Sequence, residues 1–179
     1  MTPHATDDPA SWTLTRLADH LKATDHRRLG ELAPRAAAYA RRIRDVHAGQ
    51  HPELTEVAAL CDGLAAELQE HLRREEDGFF PAVRTAEKAI RAGAACEPGD
   101  AATIAASVAA LGADHERFLV ALGRLRDLTM DYALPFDACA TYDLAFRTLR
   151  DLDAALRRHL PLEDDLLLPR ALALVDAVH

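Results

Sequence analysis

HLRREEDGFFP, residues 71–81, returns as HLPLEDDLLLP at residues 159–169, with His, Leu, Glu, Asp and Pro in register. In each copy a histidine precedes a glutamate by four positions, His71 with Glu75 and His159 with Glu163. Positions i and i+4 share one face of a helix, so each pair can converge on one point. A shorter echo pairs Asp25, His26 and Arg28 with Asp114, His115 and Arg117. The two halves read as copies of one helical hairpin, which predicts a pseudo-two-fold site between them.

Working outward, apolar residues recur at helical spacing over four segments, 11–47, 53–92, 100–131 and 137–176. Ala, Leu, Arg and Glu dominate these stretches, while Gly and Pro cluster between them, a helical rather than a strand preference. Pro52 suits the first turn of the second segment, and Glu97, Pro98 and Gly99 separate it from the third. Pro135 with Asp137 separates the third from the fourth. Pro34, Pro81, Pro161 and Pro169 fall inside the segments and predict kinks or local ends. Four long helices with short connections predict an all-α, up-down-up-down four-helix bundle, one domain over residues 11–176 after a disordered segment at 1–10. Its core stripes are expected at Leu64, Leu68, His71, Glu75 and Phe79, and at Ile104, Val108, Leu111, His115, Phe118, Leu119, Leu122 and Leu125.

The positions of the histidines along the helices decide whether the polar residues share a layer. At about 1.5 Å per residue, His26 lies roughly 31 Å from the end of its helix and His71 roughly 27 Å from the start of the next. For His115 and His159 the corresponding spans are roughly 26 and 33 Å. Four histidines and two carboxylates therefore fall at one height. Unpartnered burial of these groups costs about 2 kcal/mol or more each, against a total stability of about 5 to 15 kcal/mol. A metal cluster removes that cost; the alternative is a hydrogen-bonded polar core. Six residues, His26, His71, Glu75, His115, His159 and Glu163, exceed a tetrahedral zinc site and suit two ions with bridging carboxylates. Mixed imidazole and carboxylate donors favour iron, manganese or a similar first-row metal over calcium or magnesium.

The other histidines test this reasoning. His47 is 21 residues beyond His26, roughly 31 Å along the helix, and is excluded from the ligand set. His20 lies on a different face from His26, and His4, His51 and His179 sit at ends or loops, so all four are expected at the surface. Glu67, one turn before His71, reads as a proton donor behind the ligands or as a helix-stabilising acid. Cys61, Cys96 and Cys139 have no CxxC spacing and are expected to be small buried hydrophobes or idle thiols.

Composition narrows the partners. A chain of 179 residues suits one domain with a real core. A net charge of -8, with 21 scattered Lys and Arg, excludes a general affinity for nucleic acid or anionic membranes. The start MTPHATDDPA has no targeting pattern and no 18-residue apolar run follows, which predicts a cytoplasmic protein. Monomer and dimer both remain open.

With these residues in place, the chain resembles a hemerythrin-like HHE cation-binding domain, and more closely the di-iron domain of the repair-of-iron-centres proteins. The resemblance covers residues 14–172. It is carried by RDVHAGQHPEL around His47, EHLRREEDGFFP, ADHERF around His115, T-x2-Y-x2-P-x2-A-C-x-T from Thr129 to Thr141, and RRHLPLEDDLLLPRAL. It implies that His26, His71, His115 and His159 are metal histidines and that Glu75 and Glu163 are bridging carboxylates. The implied cofactor is two iron ions, a di-iron centre bridged by oxo and carboxylate groups. The implied activity is binding or reaction of NO, O2 or peroxide under nitrosative or oxidative stress, with an electron donor or iron-acceptor protein as partner. A non-catalytic module for O2 binding, sensing or iron storage is the alternative. The matches at His47 and Cys139 mark shared structure at the far end of the bundle. The resemblance also implies a link to iron-sulfur cluster repair, an expectation weakened because the adjacent cysteine pair of the repair proteins' N-terminal domain is not found in this sequence.

Overall fold

The structure is a computed structural model and describes residues 8–176. Its helices are α1 (Leu14–Leu21), α2 (Arg27–His47), α3 (Glu53–Arg74), α4 (Phe80–Arg91), α5 (Pro98–Leu128), α6 (Ala140–Leu162) and α7 (Leu168–Asp176). Three π-helical turns, Lys22–His26, Glu75–Phe79 and Glu163–Leu167, join α1 to α2, α3 to α4 and α6 to α7. The result is four long helical stretches, as the periodicity predicts, and no strand among the described residues. No described helix is long and apolar enough to cross a membrane. Most of the expected segment at 1–10, together with His4 and His179, lies outside the described residues. Pro9–Ser11 forms one 3-10 turn, capped by Asp8.

The π turns account for the chain's response to two of its prolines. Phe80 donates its N–H to the Glu75 carbonyl, and Leu168 to that of Glu163, so each turn holds one residue more than an α turn. Successive residues of a regular helix stand about 100° apart, yet Phe79 and Phe80 are both fully buried across the widened turn. Pro81 and Pro169 follow in the first turn of α4 and α7, where a missing N–H removes little. Pro34 behaves differently from expectation, because α2 runs through it unbroken, whereas α6 ends one residue after Pro161, where the π turn at Glu163 begins. In α2, buried neighbours such as Leu32, Ala33 and Ala36 hold the backbone where one hydrogen bond is lost.

The chain forms two compact units, each with a piece of all four stretches: residues 1–26, 72–113 and 158–179 in one, residues 27–71 and 114–157 in the other. The core of the first includes Leu17, Leu21, Phe79, Phe80, Ile104 and Leu167. There α1 packs on α4, and α4 on α7. Thr13 caps α1, while Glu87 of α4 accepts the N–H groups of Leu14 and Thr15 at 2.9 and 3.0 Å. Capping by a residue of another helix thus satisfies the orphan donors of α1 and fixes its packing partner.

In the second unit, Leu29, Ile43, Leu54, Leu68, Phe118 and Tyr142 are buried. Ion pairs join neighbouring helices there: Arg41 with Asp62, and Arg124 with Glu56 in a fork at 2.7 and 2.8 Å. Helix α5 ends at a turn in which Met130, Asp131 and Tyr132 take positive φ of 48, 57 and 61°. Thr129 accepts the Tyr132 N–H, Arg126 holds Asp131 and the Tyr132 hydroxyl donates to Asp153, interactions that offset the left-handed strain. One stripe position departs from expectation. Leu119 is 40% exposed, because it stands about 100° from Phe118, and the buried place beside His115 belongs to Asp114.

Candidate metal centre

In the first unit, His26, Glu75, His159 and Glu163 are all buried, and one donor atom from each lies within 4.8 Å of every other. Each comes from a π turn or the turn beside it: His26 ends one, Glu75 and Glu163 each begin one, and His159 sits one turn before Glu163. An inserted residue re-aims the side chains on either side of it, and these turns stand at every carboxylate of the predicted set.

Nε2 of His26 lies 3.4 Å from Oε2 of Glu75, and Nε2 of His159 is 3.4 Å from Oε1 of Glu163. The His26 and His159 rings meet edge to face at 5.5 Å, and Phe80 stacks on His26 at 5.3 Å. On its far side His26 Nδ1 donates to Oε1 of Glu76 at 3.0 Å, and Lys22 holds the other Glu76 oxygen at 2.8 Å. That bond fixes the tautomer, leaving Nε2 as an acceptor aimed at the carboxylates.

The electrostatics suit a cation. Burial pushes Glu75 well above the ordinary carboxylate range, and the charge of Glu163 pushes it further. Burial also lowers the pKa of His26 against the pull of Glu76, favouring the neutral imidazole that a metal requires. Neither nitrogen of His159 has a hydrogen-bond partner, nor does Nε2 of His26. Each such buried group costs about 1 to 3 kcal/mol. Buried imidazoles with unsatisfied lone pairs, facing two crowded carboxylates, fit a divalent cation as the missing partner.

The other two predicted histidines lie in the second unit. His71 and His115 are buried with ring centroids 5.0 Å apart, and Phe118 meets His71 edge to face at 5.2 Å. His71 Nδ1 donates to Oδ2 of Asp114 at 3.1 Å. Arg117 pairs with Asp114 and also donates to Glu67 at 3.3 Å. Glu67 is thus the outer end of a chain of charges leading to His71. Sequence reasoning missed Asp114 and Glu76, the carboxylates that orient His71 and His26. The signal available for Asp114 was the repeated Asp-His dipeptide at 25–26 and 114–115.

The histidines left out of the ligand set have other partners. His20 meets Trp12 edge to face at 4.9 Å, and His51 bonds Asp137 at 3.1 Å and Glu53 at 3.2 Å. His47 contacts Cys139. Cys61 and Cys96 are buried as small apolar groups, whereas Cys139 is exposed.

Residues 17–171 match the model of the hemerythrin HHE cation binding domain. Among similar proteins is the iron-sulfur cluster repair protein YtfE of Yersinia pestis (strain Pestoides F), 26% identical over 171 residues, 95% of this chain and 71% of that one. The protein of the same name from Yersinia pseudotuberculosis serotype O:1b (strain IP 31758) is 25% identical over 170 residues, with the same coverage. The family match spans nearly all of an all-helical chain with buried His and Glu groups able to hold a metal, and this chain therefore belongs to the hemerythrin HHE cation-binding family, with that family's helical-bundle fold.

Proposed function

We propose that residues 11–176 form one non-haem di-iron domain, working in the cytoplasm, that binds or reacts with NO, O2 or peroxide in nitrosative or oxidative stress. The reading includes a link to iron-sulfur cluster repair, the function named in the similar Yersinia proteins. The observation that carries it is the buried group His26, Glu75, His159 and Glu163, whose imidazoles face the carboxylates with unsatisfied nitrogens.

In this reading His26, His71, Glu75, His115, His159 and Glu163 are the residues that would hold the iron. Bound iron supplies Lewis acidity and one-electron redox chemistry to a small ligand. The protein's own contribution is orientation and burial. Glu76 and Asp114 hold the Nδ1–H of His26 and His71, so that each ring presents Nε2. Phe80 and Phe118 pack against those rings and keep water from them.

The test is metal analysis of protein expressed with iron, set beside His159→Ala, followed by mixing the reduced protein with NO and with O2. About two iron per chain in the wild type, a loss in the variant and consumption of NO are the expected results. A chain that stays iron-free overturns the reading, and a stable, reversible O2 adduct without NO consumption moves it to the carrier or sensor alternative.

A further inference from the structure

Cys139 is the one exposed thiol among the described residues, and its surroundings are those of a thiolate. It occupies the position before the first residue of α6, where its carbonyl accepts the Asp143 N–H at 3.1 Å. It therefore stands at the start of α6, where the backbone N–H groups of Thr141 and Tyr142 favour a negative charge. From α2, Nε2 of His47 approaches Sγ to 3.2 Å. Tyr142 seats the imidazole, with ring centroids 5.3 Å apart, and packs likewise against His51, which Asp137 and Glu53 hold from outside. Nucleophile, adjoining imidazole and a group that seats the imidazole are thus present together.

The His47 contact, helped by the backbone N–H groups of Tyr142 and Thr141, holds the Cys139 thiol below its ordinary range. The other two cysteines are pushed the opposite way: burial raises Cys61 to about 12 and also raises Cys96. Cys139 opens on a small cleft lined by Arg42, Ile43, Val46, His47 and Thr141. An incoming molecule that bears carboxylates meets the Arg42 cation beside the sulfur.

We propose that Cys139 and His47 form a thiol–disulfide exchange site for small anionic disulfides of the glutathione kind. His47 takes the thiol proton, and the Cys139 sulfur attacks one sulfur of the disulfide. The new S–S bond forms as the old one breaks, and the departing thiolate leaves with the electron pair and recovers the proton from His47. No outside oxidant is needed, because the disulfide itself is reduced. The site stands whether or not the iron reading does, since nothing in the exchange requires a metal.

The probe is oxidised glutathione, added at neutral pH to the full chain, with adducts mapped by mass spectrometry. The mixed disulfide is expected on Cys139 and not on Cys61 or Cys96. Its rate should exceed by about tenfold that of a peptide of residues 135–143, which carries the same thiol without His47 or the folded helix. His47→Ala should slow the reaction by about tenfold while circular dichroism and the melting temperature report an intact fold. Should that variant fail to fold, the peptide comparison decides alone. A folded-state rate no faster than the peptide's, or a folded His47→Ala as fast as the wild type, overturns the proposal.

Discussion

Oδ2 of Asp114 lies 3.1 Å from Nδ1 of His71, with both side chains buried. The carboxylate fixes which imidazole nitrogen is left for a metal. Asp114→Ala is therefore expected to weaken iron binding by about 10- to 100-fold, measured by competition with a chelator, and Asp114→Asn, which keeps an acceptor, by less. Unchanged affinity in Asp114→Ala would show that the contact is structural only.

Removal of the proposed iron is expected to lower thermal stability. A ligand at about 100 times its Kd stabilises by about 2.7 kcal/mol, a change in Tm of roughly 5 to 10 °C for a chain of this size. Calorimetry before and after chelation checks it, and coincident transitions count against a resident metal.

The pH dependence of the metal-free protein follows from Glu75. Its pKa is raised from the ordinary value of 4.5 by burial and then by Glu163, so ionising it in the folded state opposes folding. That part of the stability is complete below pH 4.5 and is lost as pH rises toward the raised folded value. Metal-free Glu75→Gln, which cannot ionise, should melt above the metal-free wild type at pH 7, the gap closing toward pH 4. Equal melting temperatures at pH 7 would sink this account.

Phe79 is fully buried at the end of the π turn that Glu75 begins. Truncation to Ala is expected to cost about 3 to 5 kcal/mol in urea denaturation. A loss under about 1 kcal/mol, the level of an ordinary surface substitution, would mean that the turn repacks around the gap.

Much of this was legible in the residues themselves, because helical periodicity and the repeat at 71–81 and 159–169 are local patterns. The four helical stretches, their connections and the buried stripe through Leu68, His71, Glu75 and Phe79 follow from spacing alone. That His26, Glu75, His159 and Glu163 come together was expected from rise per residue along segments read from periodicity. Leu119 was misplaced because a stripe read at integer positions blurs a rotation of about 100° per residue.

What only the tertiary structure decided is how the donors are aimed. The sequence marked Pro81 and Pro169 as points of disturbance, but the disturbance is a π turn beginning at each glutamate, several residues earlier. A widened turn holds only where the packing of residues such as Phe79, Phe80, Leu167 and Leu168 offsets its poorer hydrogen bonding. The same holds for the bonds from His26 to Glu76, from His71 to Asp114 and from His47 to Cys139. Each joins residues 43 to 92 positions apart. Periodicity determines which face of a helix is buried; which side chain of another helix meets it depends on the rotation and stagger of the packed helices, and no local pattern carries that information.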